Sequence, residues 1–144
     1  MKIVIVDTNI IFSAILNPQS PIGEILFYSG EKLEFYTSEY LRKEITRHRR
    51  RIEELSKTSP DQVNEVIFQI FQRISFIADE QIPFSCWARS APLVRDIDMD
   101  DLPFVALTDY LEGFLWTGDV KLLNGLKSKG FTRCLSTQDL IDML

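Results

Sequence analysis

Residues 2–9 read KIVIVDTN: an unbroken run from Ile3 to Val6, mostly β-branched, that stops abruptly on Asp7. A short continuous apolar run is the mark of a strand buried on both faces, as in a parallel sheet. An acid directly after such a strand lies at its carboxyl end, where open α/β sheets build their sites. Downstream, LEFYT at 33–37, SFIA at 75–78, FLWT at 114–117 and FTRCL at 131–135 read as further strands. Helical patterns fill the intervals. Thr8 or Asn9 is expected to cap IIFSAIL, which Asn17-Pro18 breaks, and Ser20-Pro21 restarts a helix that stops at Gly30. Ser38 is expected to cap one long helix carrying Leu41, Ile45, Ile52 and Leu55 on its apolar face. Ser59, Pro60 and Gln62 form a helix start with N-cap, N1 proline and capping box. Residues 84–95 form a short helix ended near Pro92 or by the acidic loop DIDMDD at 96–101. DLPFVAL opens the next, VKLLNGLKSKG another, and TQDLIDML closes the chain. Strands alternating with helices predict an α/β fold with a mainly parallel sheet, here within one domain spanning 1–144.

The composition agrees. A chain of 144 residues with 45% hydrophobic and 26% charged residues is globular, with material for a real core. No stretch approaches ~20 apolar residues, and Asp7 interrupts the N-terminal run, so no membrane span or signal peptide is expected and the protein is read as cytoplasmic. Cys86 and Cys134 lack CxxC spacing, which excludes a disulfide framework or a zinc site built on them. The net charge of −5 argues against indiscriminate nucleic-acid binding. Its distribution points the other way, since Arg42, Lys43, Arg47, Arg49, Arg50 and Arg51 fall within ten positions. That helix is either a solvated face with i,i+4 partners such as Glu54 or a track for a phosphate backbone, with Arg42, Lys43, Arg47 and Arg50 as its contacts. His48, within it, reads as a surface residue.

Four acids stand where such a fold delivers side chains to one spot: Asp7 after the first strand, Glu44 early in the basic helix, Asp101 at the start of DLPFVAL, and Asp119 after FLWTG. Each has an ordinary alternative. Asp7 and Asp119 sit at N-cap positions, and acidic loops such as 96–101 are usually solvated. Glu39 serves the helix end, which leaves Glu44, beside Ile45, at the edge of the apolar face. Gly118 is read as allowing close backbone approach at a strand end. Clustered carboxylates lose hydration and repel, and a cation relieves both penalties. Oxygen-only ligands suit Mg²⁺ or Mn²⁺.

In order and spacing, VDTNIIFSAIL, SEYLRKEI, DLPFVALT and WTGDVKLL resemble the motifs of the PIN-domain ribonucleases, some of them toxins of toxin–antitoxin pairs. The resemblance implies a three-layer α/β/α sandwich around four to five strands. It implies metal-dependent cleavage of RNA, with Asp7, Glu44, Asp101 and Asp119 as the acids that hold Mg²⁺ or Mn²⁺. It selects Asp101 over Asp98 and Asp100, and it makes Thr8, Asn9 and Thr117 supporting polar residues. A cognate antitoxin and a homodimer are further implications. Many relatives carry another acid where this chain has Lys121, which favours one metal over two. A non-catalytic RNA- or protein-binding domain on the same fold is an alternative that intact acids argue against. An aspartyl-nucleophile phosphatase would need a second acid at Asn9.

Overall fold

The computed structural model describes residues 1–144. Five strands form one all-parallel sheet: β1 Lys2–Val6, β2 Leu33–Ser38, β3 Ile74–Ile77, β4 Phe114–Trp116 and β5 Cys134–Leu135, in the order β3-β2-β1-β4-β5. β1 is central, pairing Val4 with Phe35 on one side and with Phe114 on the other. The chain winds outward from β1 in both directions, so a crevice opens at the carboxyl ends of β1 and β4. Nine helices surround the sheet: α1 Thr8–Leu16, α2 Pro21–Tyr28, α3 Tyr40–Arg47, α4 Arg49–Ser56, α5 Pro60–Phe71, α6 Phe84–Val94, α7 Leu102–Leu111, α8 Val120–Ser128 and α9 Thr137–Met143. This is the three-layer α/β/α arrangement.

An apolar cluster of 31 buried residues runs through it, with Val4, Ile5 and Val6 fully enclosed at its centre. Their burial on both sheet faces is what the unbroken run in β1 requires. Phe104 through Thr108 on α7 are all buried, and the Thr108 hydroxyl is satisfied by donating to the Phe104 carbonyl at 2.8 Å. That helix is therefore wedged in the core, and it fixes Asp101 at its N-terminal end. No single helix is long and apolar enough to cross a membrane; α1 and α2 together are apolar, but they meet at 103° and turn buried residues to the core.

Several local expectations are corrected. Asp7 caps α1, not Thr8 or Asn9. Ser38 ends β2; Glu39 takes the N-cap position of α3 with no side-chain cap bond, while the Ser38 hydroxyl accepts from the Tyr40 N–H at 3.0 Å. The long helix is two, broken at His48. A continuous helix would stack Arg47 against Arg50 and Arg51, and like charges at those spacings oppose it. Beyond the break Ile52 is buried, but Leu55 is exposed. The helix expected over 84–95 is borne out: α6 runs through Pro92 to Val94 and stops before the acidic loop. FTRCL contributes only Cys134–Leu135 to the sheet. At Gly118 a Cβ would make only ordinary contacts, 3.6 Å from Asn9 Oδ1, so close approach is not the reason for that glycine. Gly113 is where it applies: a Cβ there would stand 2.7 Å from the Ile3 carbonyl oxygen.

Candidate active site

Asp7 emerges from β1 into α1, and its two oxygens do different work. Oδ1 caps the helix, accepting from the Thr8 N–H at 2.8 Å. Oδ2 accepts from the Thr117 hydroxyl at 2.6 Å and from the Asn9 amide at 3.3 Å. The cap reading of Asp7 therefore holds on Oδ1, and Oδ2 is left to the polar network at the strand ends. Thr117, at the end of β4 and fully buried, is the hub. Its oxygen also accepts from Asn9 Nδ2 at 3.2 Å and from the Asp119 N–H at 3.1 Å. Asn9 closes the circuit by accepting from the Gly118 N–H at 3.0 Å. The ends of the two central strands are thus sewn together by polar side chains behind the carboxylates.

Glu44 reaches the same place from α3. The Thr8 hydroxyl donates to its Oε1 at 2.5 Å, which holds the half-buried carboxylate inward. Asp119 caps α8, accepting from the Leu122 N–H at 3.2 Å. Asp101 differs from all of these. It occupies the N-cap position of α7 yet makes no cap bond, and its Oδ2 is buried with no hydrogen-bond partner. A buried carboxylate oxygen left unpaired costs several kcal/mol unless something else satisfies it. Its neighbours behave as ordinary loop acids: Asp98 caps a turn, accepting from the Asp100 N–H at 2.9 Å, and Asp96 pairs with Lys129.

The electrostatics follow from this packing. Burial pushes the Asp7 carboxyl up to about 6, against the hydrogen bonds from Thr117 and Thr8, with the charges of Glu44 and Asp119 adding to the rise. Asp101 is pushed up to about 8, first by burial and then by Asp7, Asp98, Asp119 and Glu44. Glu44 is also raised by burial, with Thr8 holding it down in part. Asp7, Glu44 and Asp101 thus all resist ionising, and burial is the largest cause in each.

A cavity of about 300 Å³ opens here, lined by Asp7, Glu44 and Asp101 with Thr8 and Asn9. Asp119 is not among the lining residues, although its charge raises both aspartates. No three of these side chains close into a tight metal shell. The acids ring the space instead, as mutually repelling groups do before a cation draws them in. The donor set is all oxygen, and one buried oxygen awaits a partner, so the residues present fit a hard divalent cation.

The basic residues divide. Arg42 is drawn to the outer side, its guanidinium 3.8 Å over the Phe76 ring and paired with Glu39 at 3.1 Å. Arg49 pairs with Glu53 at 3.7 Å; the expected partner Glu54 is not used. Arg47 bonds to Tyr40, whose hydroxyl donates to Asp100 at 3.0 Å on the rim of the site. Lys43 and Arg50 are exposed. The remaining wall of the cavity is Phe12, to which the sequence assigned no role, with His48, read as a surface residue, and Arg51, read only as part of the basic run. Only the spacing of His48, one turn after Glu44, signalled it. Lys121 is exposed and lies near Asp96.

An all-parallel α/β domain with an acidic crevice at its switch point has its candidate site where open α/β sheets bind their ligands. The PIN domain family matches residues 5–139, and the chain belongs to that family, whose members are generally nucleases dependent on divalent metal. The fold is similar to VapBC2 from Rickettsia felis, bound to a DNA fragment from their promoter, at TM-score 0.67 and 13% identity over 93% of this chain and 98% of that one. It is equally similar to PAE2754 from Pyrobaculum aerophilum, at TM-score 0.67 and 14% identity over 97% of this chain and 87% of the other. A comparison with curated proteins returns no match.

Proposed function

We propose that this protein is a metal-dependent endoribonuclease that hydrolyses RNA phosphodiester bonds. The observation that carries the reading is Asp101, whose buried Oδ2 has no partner and whose side chain lines a cavity together with Asp7 and Glu44. Three carboxylates with raised pKa stand together at the end of the sheet, one of them with an unpaired buried oxygen, an arrangement that costs stability and is useful when a cation completes it. Asp7, Asp101, Asp119 and Glu44 would hold Mg²⁺ or Mn²⁺. Such an ion, when bound, lowers the pKa of a water and neutralises charge building on a phosphoryl group.

The chain's own residues do the positioning. Thr117 and the Thr8 N–H clamp Asp7, so its carboxylate cannot swing away from the cavity. Thr8 does the same for Glu44, which is placed to orient the attacking water or to take its proton. Asn9 holds the β4 end against α1 and keeps Thr117 aligned. Lys43, Arg47 and Arg50 offer a sequence-independent backbone track leading toward Glu44. An antitoxin partner is part of this reading, supported by the likeness to VapBC2, and so is a homodimer.

The test is cleavage of an unpaired RNA by wild type and Asp101→Asn, with Mn²⁺ and with EDTA. Wild type should cleave only with metal. The variant, which stays folded because its neutral amide suits the buried site, should lose at least about 100-fold, beyond the 10–100-fold typical of a residue that merely supports a ligand. Metal-independent cleavage, or full activity in the variant, would sink the proposal. If RNA binds tightly and is never cut, the protein is a non-catalytic binder.

A further inference from the structure

The geometry points to Arg51 and Phe12 as a substrate subsite that grips one phosphate and one unpaired base beside the carboxylates. This inference rests on the nuclease reading above.

Arg51 lies in the first turn of α4, just past the break at His48, and its side chain lines the same cavity as Glu44 and Asp101. It nevertheless makes no ion pair and no side-chain hydrogen bond. The arginines that do pair in this region, Arg42 with Glu39 and Arg49 with Glu53, face elsewhere. An exposed guanidinium that lines a cavity with three acids and bonds to none of them keeps its charge free across an open space. A lone anion there would be repelled by Asp7, Glu44 and Asp101, and a cation held by those acids leaves Arg51 still without a partner. A phosphodiester bridging a metal-neutralised acid cluster and a guanidinium satisfies both walls at once. Arginine's planar fork matches two phosphate oxygens, which a lysine cannot do. His48, beside it on the cavity wall, adds a ring N–H donor.

Phe12 is the one apolar side chain lining the cavity. It projects from α1, one turn beyond Thr8 and Asn9. A flat ring next to a phosphate grip is a stacking platform, and only an unpaired base has a free face to lay on it. The subsite therefore selects single-stranded RNA over duplex.

The experiment measures anisotropy of a labelled unpaired RNA and of a blunt RNA hairpin, its loop replaced by a non-nucleotide linker, against the full protein. Ca²⁺ replaces Mn²⁺ to supply charge, across a range of salt. Cleavage kcat and KM are taken in Mn²⁺. Arg51→Ala should weaken binding of the unpaired RNA about tenfold and flatten the salt slope by about 0.7, one phosphate contact. Arg51→Lys should restore the slope while leaving KM raised. Phe12→Leu, which keeps the packing but removes the ring face, should weaken the unpaired RNA and not the hairpin. If wild type cleaves and both Arg51→Ala and Phe12→Leu bind as it does, the subsite is wrong and the nuclease reading stands. If wild type never cleaves but its RNA binding still depends on Arg51 and Phe12, the subsite stands and the nuclease reading falls.

Discussion

Replacing Asp7 by asparagine should make the metal-free protein more stable at pH 8 and destroy its activity. Asp7 is almost wholly buried, and burial together with the nearby acids outweighs the bonds from Thr117 and Thr8, so its carboxyl is raised from 3.8 to about 6. For a carboxyl whose folded pKa is raised, the neutral form is the one the fold favours. The protein then carries no penalty below the unfolded pKa and loses stability as pH climbs through the folded value. The rise to about 6 corresponds to about 3 kcal/mol, complete above pH 7 and largely absent at pH 4. Asparagine escapes that loss. It has its own cost, because its NH₂ meets the Asn9 amide, which now donates to Asp7 Oδ2. That cost does not vary with pH, so it cancels in a double difference. Urea unfolding of wild type and Asp7→Asn in EDTA, at pH 4 and at pH 8, should show the relative stability of the variant rising by about 2–3 kcal/mol at the higher pH. Adding Mn²⁺ at pH 8 should reverse the order. Saturation at a hundred times Kd stabilises wild type by about 2.7 kcal/mol and the variant by far less. If the variant is no better off at pH 8 than at pH 4, the strain assigned to this carboxylate is not there.

Thr117→Val should cost about 1–3 kcal/mol in urea unfolding, since it strips a buried hub and leaves the Asn9 amide and the Asp119 N–H short of an acceptor. It should also let the Asp7 carboxyl rise further, shifting the acid limb of the pH–rate profile upward; an unmoved limb would contradict the clamp. Arg42→Ala should lower stability by about 1 kcal/mol through its lost contact with the Phe76 and Phe71 rings, while altering RNA affinity less than Arg51→Ala does. Gly113→Ala should destabilise by about 1–3 kcal/mol, read as a lowered melting temperature, because the new methyl must displace the Ile3 backbone.

The core strand and its terminal aspartate were legible in KIVIVDTN because strand burial and side-chain type are local properties. Apolar continuity needs no knowledge of distant residues, and an acid after a strand end is aimed by the strand that carries it. The alternation of elements foretold the parallel sheet, and motif order singled out Asp101 from the loop at 96–101. The physics that separates Asp101 from Asp98 and Asp100 was not local. Asp101 is orphaned because α7 is wedged in the core, whereas Asp98 finds an N–H two residues on. Likewise, no pattern within the basic helix says that Arg42 turns onto aromatic rings from β3 and α5 while Arg51 turns into the cavity. That division follows from the break at His48 and from partners far along the chain. The same holds for Asp7, whose strongest bond comes from Thr117, 110 residues away. Side-chain identity sets what a group can do, but its burial, and so its charge and its partners, depends on which distant segments fold against it.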